Sequence, residues 1–417
     1  MNKLDELIQQ LCPNGVPYRR LGDIATICRG GSFQKKDFTE SGVPCIHYGQ
    51  IYTHYGLFVN ETITYIGEET AQKQKFAEPN DVVMAVTSEN IEDVCKCVAW
   101  LGDGKVAVSG HAAIIHHSMN PKYLVYWLHS SSFYQQKAKI ANGTKVIEVA
   151  PAKLSDVVLP VPPLEVQREV ARILDTFTEL TAELTAELTA ELTARKQQYA
   201  YYRNKLLTFN IPGGTSRTTW RKFGETCFLQ AGKAINAENI SKEKTPEYCI
   251  PCYGGNGLRG YVREANQQGD KPLIGRQGAL CGNVCFAKGD YYATEHAVVV
   301  TDQGFYNSRF LYHLLVNKNL NQYKTSGAQP GLSVAKLETI LLPVPEIEIQ
   351  KRIADVLDNF DAICSDLNIG LPAEIEARKK QYEFYRDQLL TFAVQDEIVL
   401  TDRQTDRQTD RQTSITR

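Results

Sequence analysis

Thr178-Glu-Leu-Thr-Ala-Glu-Leu-Thr-Ala-Glu-Leu-Thr-Ala-Glu-Leu192 decides the fold. A four-residue repeat runs just off the helical period, so Leu180, Leu184, Leu188 and Leu192 form one slowly turning apolar row. The row continues upstream through Val166, Val170, Ile173 and Phe177, and downstream through Tyr199, Tyr202 and Leu206. Outside the repeat the spacing alternates between three and four, as in a coiled-coil seam. About 45 helical residues within 164–209, at 1.5 Å rise each, predict a helix of roughly 67 Å. Alone it is a weak helix. Glu179, Glu183, Glu187 and Glu191 lie four apart, and each like-charged pair costs about 0.2–0.5 kcal/mol. Thr is a middling helix former. The helix therefore needs a partner that buries the Leu row.

The chain supplies that partner. Residues 164–209 recur at 347–392 with a constant offset of 183. Gln167 matches Gln350, Phe177 matches Phe360, Tyr202 matches Tyr385, and Leu206-Leu-Thr-Phe matches Leu389-Leu-Thr-Phe. The row under the repeat is answered by Ile363, Leu367, Leu371 and Ile375. Two long helices packed antiparallel are expected. Gly370-Leu-Pro372 should kink the second of them.

At 417 residues the chain has room for two or three domains. Its composition, 43% hydrophobic and 23% charged, is that of a soluble globular protein. A net charge of −2 announces no global basic field, although partner subunits can carry one. Residues 1–11 contain Asp5 and Glu6 and no apolar core, so no signal peptide is expected. No apolar run approaches the roughly 20 residues of a membrane span. Eleven cysteines, an odd number, predict reduced thiols in a cytoplasm.

The duplication extends beyond the helices. Tyr18-Arg-Arg-Leu-Gly-Asp-Ile is echoed by Trp220-Arg-Lys-Phe-Gly-Glu-Thr, and Val43-Pro-Cys-Ile-His-Tyr-Gly by Tyr248-Cys-Ile-Pro-Cys-Tyr-Gly. Residues 81–86 and 271–276 open a second set of short strands, continued by 106–115 and 291–300. Amphipathic helices are expected at 121–136 and 308–321, started by Asn120-Pro121 and Asn307-Ser308. Glycine loops follow at Asn142-Gly-Thr-Lys and Ser326-Gly-Ala-Gln-Pro-Gly. Val158-Leu-Pro-Val-Pro-Pro and Leu341-Leu-Pro-Val-Pro then hand over to the long helices. The fold class is thus mixed α/β (α+β), with pseudo-two-fold internal duplication. One globule spans 1–163, a spacer helix 164–209, a second globule 210–346 and a distal helix 347–394. The tail, 395–417, contains Thr-Asp-Arg-Gln three times over and should be disordered.

In this order and in duplicate, these motifs resemble the specificity subunit of type I restriction–modification systems. The resemblance covers all but the tail. It rests on Cys12-Pro-Asn-Gly-Val-Pro opening onto Leu21-Gly-Asp, and on the exits at Pro160 and Pro343. It rests also on Gln167-Arg-Glu-Val-Ala-Arg-Ile-Leu-Asp with its partner Gln350-Lys-Arg-Ile-Ala-Asp-Val-Leu-Asp, and on Arg195-Lys-Gln-Gln-Tyr with Arg378-Lys-Lys-Gln-Tyr. The Thr-Ala-Glu-Leu units point to the subgroup whose spacer carries that tetrapeptide. The resemblance implies that each globule is a target recognition domain for one half of a split double-stranded DNA sequence. It implies that the helices bind two modification subunits, which carry S-adenosylmethionine and methylate adenine. Restriction subunits driven by ATP and Mg complete the nuclease. No cofactor and no chemistry are expected on this chain. In agreement, it has no Asn-Pro-Pro-Tyr or Asp-Pro-Pro-Tyr motif and no Gly-rich loop ending Gly-Lys-Ser/Thr. The competing reading is a coiled-coil scaffold whose globules bind partners other than nucleic acid.

Reading bases needs paired donors and acceptors on loops that reach a groove. Beside glycines or between predicted strands, the first globule offers Lys35, Lys36, His47, Tyr48, Gln50, Thr87, Ser88, Asn90 and Lys145. The second offers Lys233, Tyr253, Asn256, Arg259, Arg276, Gln277, Thr325 and Gln329. Arg276-Gln277 is the most pointed pair, since Arg suits guanine and Gln adenine. Lys and Arg also serve phosphate. Cys249-x-x-Cys252 and Cys281-x-x-x-Cys285 have zinc-compatible spacing, but they lie in a predicted strand and a Gly-rich turn, so no metal is expected. His116-His117 reads as a strand end. Tyr123, Leu124 and Trp127, like Phe310, Leu314 and Leu315, share a helical face and read as core.

Overall fold

A computed structural model describes residues 3–209, 218–278, 280–325, 330–365 and 370–393, with the side chains of 364 and 365 excepted. The chain forms two compact units: residues up to 185 with those from 377 onward, and residues 186–376. These boundaries cut across the expected division into globules and helices.

In the first unit two five-stranded sheets face each other. One runs in the order Ala25–Arg29, Ala112–His117, Val82–Ala85, Cys97–Trp100, Phe58–Val59. The other runs Phe38–Thr39, Thr64–Ile66, Val43–Ile46, Val106–Val108, Lys75–Ala77. The strand Val82–Ala85 is buried throughout because both its faces are covered. Val83 and Ala85 meet Ile46 and Val106 between the sheets. Val82 and Met84 pack with Tyr123, Leu124 and Trp127 on the helical side. An antiparallel ribbon pairs Tyr18–Arg20 with Val158–Pro160.

The second unit repeats the plan with four-stranded sheets. Cys227–Ala231, Ala297–Asp302, Lys271–Gly275 and Val284–Ala287 make one; Gly257–Val262, Ile250–Gly254, Asp290–Ala293 and Gln267–Gln268 make the other. Leu273 and Val299 point between the sheets, while Ile274 and Val298 join Phe310, Leu314 and Leu315. The ribbon Thr219–Lys222 with Leu341–Val344 matches that of the first unit, and Trp220 stands opposite Pro343 as Tyr18 stands opposite Pro160.

The helix starts fall where expected. Asn120 accepts the Tyr123 N–H, and Asn307 those of Arg309 and Phe310. The helices end sooner. The first stops at Leu128 because Ser130 caps a new helix, Ser131–Ile140. The other stops at Asn317, before Asn319 takes a left-handed backbone (φ 46°).

The first long helix is continuous from Leu164 to Leu206, 43 residues. The second is two helices, Ile347–Ser365 and Leu371–Leu389. At the interruption Gly370 has φ +79°, a conformation suited to glycine. The helices pair antiparallel, locked by aromatic side chains more than by the Leu row. In the first unit Phe177 stacks on Tyr385 (6.0 Å between ring centroids), and the hydroxyls of Thr178 and Tyr382 lie 2.9 Å apart. In the second unit Phe360 stacks with Tyr199 and Tyr202, at 6.4 and 6.2 Å. Leu184, Leu188 and Leu192 are half-buried, as are Leu371 and Ile375. Leu180 and Ile363 are 56% and 46% exposed, contrary to the expected seam. At 3.6 residues per turn each tetrapeptide rotates the row by about 40°, so four leucines sweep about 120° and cannot all face one partner. Leu367 lies outside the described residues, as does the tail from 394 onward.

Each long helix ends on a globular core distant in sequence. Leu390 belongs to the core of the first unit, where Val16 N–H donates to the Ala393 carbonyl and the Tyr18 hydroxyl to that of Phe392. Leu207 belongs to the core of the second, with Phe209 edge-on to Phe310. The matched glutamines brace the helix starts. Gln167 accepts the Asn120 N–H and donates to the Pro162 carbonyl; Gln350 accepts the Asn307 N–H and donates to the carbonyls of Pro345 and Phe305. Gln350→Leu should therefore lower the unfolding free energy of the second unit by about 2 kcal/mol, since three backbone groups lose their partner. Hydrogen exchange of the amides in the helix Ser308–Asn317 measures it.

Candidate nucleic-acid interface

The two units share one hydrogen-bond register around their clefts. Val86 N–H donates to His111 O (3.0 Å) and Arg276 N–H to His296 O (2.9 Å). Gly30 N–H donates to Ala112 O, and Gly232 N–H to Ala297 O. Cys45 and Cys252 hold the same place in parallel strand pairs. A side chain at Gly30 would strike the Ser109 carbonyl at 2.3 Å and one at Gly232 the Ala293 carbonyl at 2.1 Å, so only glycine lets the backbones approach this closely at both places.

In the first unit an open cleft of about 450 Å³ lies at these strand ends, bordered by Arg29, Gln34, Lys35, Tyr48 and His111. Lys35 and Lys36 are exposed on the turn Lys35–Asp37. Tyr48 leans on His111, with ring centroids 4.9 Å apart. Pairing of Thr87–Ser88 with Ile147–Glu148 brings the Asn142–Lys145 loop beside the cleft, so exposed Lys145 stands near Ser88. Asn90 is exposed but engaged, donating to the Asp93 carboxylate and accepting its N–H. Arg29 is paired with Glu148.

Three first-unit candidates serve the scaffold. His47 and Gln50 are buried and cap the helix Tyr48–Thr53. Gln50 accepts the His47 N–H and donates to the Thr64 hydroxyl, which uses its amide inside the unit. Burial, with the charges of Lys35 and His111, pushes the His47 imidazole below its ordinary range, consistent with Nδ1 accepting the Gly49 N–H. Thr87 is 8% exposed, and its hydroxyl lies 3.3 Å from His111 Nδ1.

In the second unit the cleft of about 470 Å³ is bordered by Asn256, Leu258, Arg259, Gln277 and His296. Asn256, Arg259 and Gln277 are exposed there. A bridge between Gln277 and Gly331 brings in Thr325, whose hydroxyl bonds Gly331 N–H. Arg276 is half-buried beside Gln277, and Lys233 is exposed on the segment after Gly232. Tyr253 points elsewhere: it meets Tyr291 edge-on between the sheets, because it holds the register place of buried Ile46. Gln329 lies outside the described residues.

The cysteines gather no metal ligand set: groups of three or more ligating side chains are absent among the described residues. Burial pushes the Cys252 and Cys285 thiols up to about 11. His116, next to the end of its strand at His117, meets Asp81 2.6 Å away. No helix among the described residues is long and apolar enough to cross a membrane. His111 and His296 border the clefts and were not among the candidates, although His111 directly follows Gly110. The signal was present: each stands just before an apolar strand as His-Ala, in segments 106–115 and 291–300 that correspond at an offset of 185.

The family described as type I restriction modification DNA specificity domain matches twice, over residues 13–194 and 218–377. The specificity subunit of the type I restriction enzyme EcoprrI of Escherichia coli is 37% identical over 339 residues, covering 80% of this chain and 84% of the relative. A protein of Mycoplasma pneumoniae assigned as a type I specificity subunit is 32% identical over 307 residues, covering 70% and 88%. A chain from a type I restriction–modification assembly shares the fold at TM-score 0.68 and 16% identity, covering 91% of this chain and 98% of that one. A specificity subunit from Thermoanaerobacter tengcongensis aligns at TM-score 0.51 and 16% identity, covering 91% and 97%. Two matched domains, each with its cleft at the same strand ends, place the chain in the family of type I restriction–modification DNA specificity subunits, the non-catalytic DNA-recognition components of those systems.

Proposed function

We propose that each globule, residues 1–163 and 210–346, reads one half of a split double-stranded DNA target through its cleft, and that the helices 164–209 and 347–394 are the spacer. The observation that carries this is the pair of equivalent clefts lined by different polar side chains. Lys35, Lys36, Tyr48, Ser88, Asn90 and Lys145 approach DNA from one; Lys233, Asn256, Arg259, Arg276, Gln277 and Thr325 from the other. His47, Gln50, Thr87 and Tyr253 hold the cleft walls. The charged members bind phosphate, and the binding weakens steeply with salt. The complex works in the cytoplasm. Sequencing the methylated adenines of a host expressing the chain with its modification partner tests the reading: a bipartite motif is expected, and a continuous one rejects it.

The spacer docks two modification subunits, which carry S-adenosylmethionine, and through them restriction subunits using ATP and Mg. Tyr201 and Phe384 occupy equivalent places at the offset of 183 and are 61% and 57% exposed, each edge-on to the next aromatic residue. Exposed aromatic pairs of this kind mark protein-binding surfaces. Tyr201→Ala or Phe384→Ala alone should leave one modification subunit bound instead of two, and the double substitution none. Native mass spectrometry of the complex counts them, and an unchanged stoichiometry in the double variant removes the assignment.

A further inference from the structure

We propose that His111 and His296 are equivalent specificity-determining residues, each contacting a base edge in a different half of the target. This rests on the DNA-reading function above. The backbone of each histidine is fixed at the mouth of a sheet, where its carbonyl accepts the N–H of Val86 or Arg276. That bond pins the turn holding each histidine to the end of the neighbouring strand. Both side chains reach the cleft. His111 is exposed and His296 half-exposed, although each is followed at once by a fully buried alanine. A strand start needs no imidazole, yet the same one stands at both starts while most of the cleft around it has changed.

The surroundings differ in a way that suits two half-sites. In the first unit the Thr87 hydroxyl lies against Nδ1 (3.3 Å) and the Tyr48 ring tilts against the imidazole, which directs Nε2 to a ligand. In the second, Nε2 lies 3.2 Å from the Glu295 carboxylate, which leaves Nδ1. Thr87 is replaced at the equivalent place by exposed Gln277, and Tyr48 by Gly255. Holding one ring nitrogen fixes the direction of the other, and a directed hydrogen bond is what separates base pairs in the major groove.

The test uses the full chain with its modification partner, carrying His111→Ala, His296→Ala, or Gln at either position. Methylated genomes are sequenced, and competing duplexes with one base pair changed are bound in vitro. Each alanine variant should relax one base pair of one half-site, not the same half for both, with a loss of discrimination of about 10–100-fold there. The other half and the gap stay as in the parent. Retention of both complete half-sites by both alanine variants overturns the proposal, and so does relaxation of the same half by both. If an alanine variant melts lower and loses methylation while Gln restores both with the parent motif, the histidine is structural and the proposal falls. A parent chain with no bipartite motif instead defeats the underlying DNA reading.

Discussion

A chain lacking residues 185–188, one Thr-Ala-Glu-Leu unit, should methylate the same two half-sequences across a gap altered by one or two base pairs. The deletion removes four residues from the middle of a continuous helix. That shortens it by roughly 6 Å and turns its far end by about 40°. DNA rises about 3.4 Å per base pair and completes a turn in about 10.5, so length calls for nearly two pairs and rotation for about one. Because the units are identical, the junction still reads Leu184-Thr-Ala-Glu-Leu, and the apolar row keeps its spacing. Residues 166–178, which carry the contacts to the first core and to Tyr382 and Tyr385, are untouched. Sequencing of methylated adenines gives gap and half-sites together. An unaltered gap would reduce the repeat to a surface insertion.

The sequence made the arms legible because helical period and internal offset are local and repeat. Gln167 with Gln350 stood out this way and proved to be the same brace twice. The offset also joins Asp175 to Asp358, each at the junction of arm and globule. Asp175 takes Lys122 and Tyr126, and Asp358 takes Arg309 and His313. The destination of each helix end was not legible. Leu389-Leu-Thr-Phe says that an apolar end must be buried, but not that its core begins with Leu4. Cleft residues were legible by loop and not by direction. Gln50 faces inward because it closes the start of the helix Tyr48–Thr53 on His47, and Tyr253 because its strand position turns it between the sheets. Lys35, Asn256 and Gln277 border their clefts because glycine turns and strand exits place them there.

Acid should destabilise the first unit from pH 6.5 downward, because two of its half-buried histidines are held without charge. Burial pushes the imidazoles of His117 and His129 down to about 4. The His129 ring bonds Val125 O at 2.8 Å, which offsets burial only in part, while neither buried ring nitrogen of His117 finds a partner. The unfolded chain takes up these protons near pH 6.5 while the folded chain refuses them until about pH 4. Below pH 6.5 the unfolded state therefore binds more protons, so stability falls as pH falls, over the window from 6.5 to about 4. Above 6.5 neither group contributes a slope. Each shift corresponds to on the order of 3 kcal/mol across the window, a large share of a domain's margin. Thermal midpoints of the full chain between pH 7.5 and 4.5 should drop accordingly, and His129→Phe should flatten that drop while changing little at pH 7.5. Retention of the parent's full acid slope by both His117→Phe and His129→Phe would move the cause to other groups. His313 in the second unit, also held below its ordinary range by burial, predicts the same sign there. Its ring donates to Asp358 at 2.6 Å. That carboxylate stabilises an added proton, so the second unit should tolerate acid better than the first.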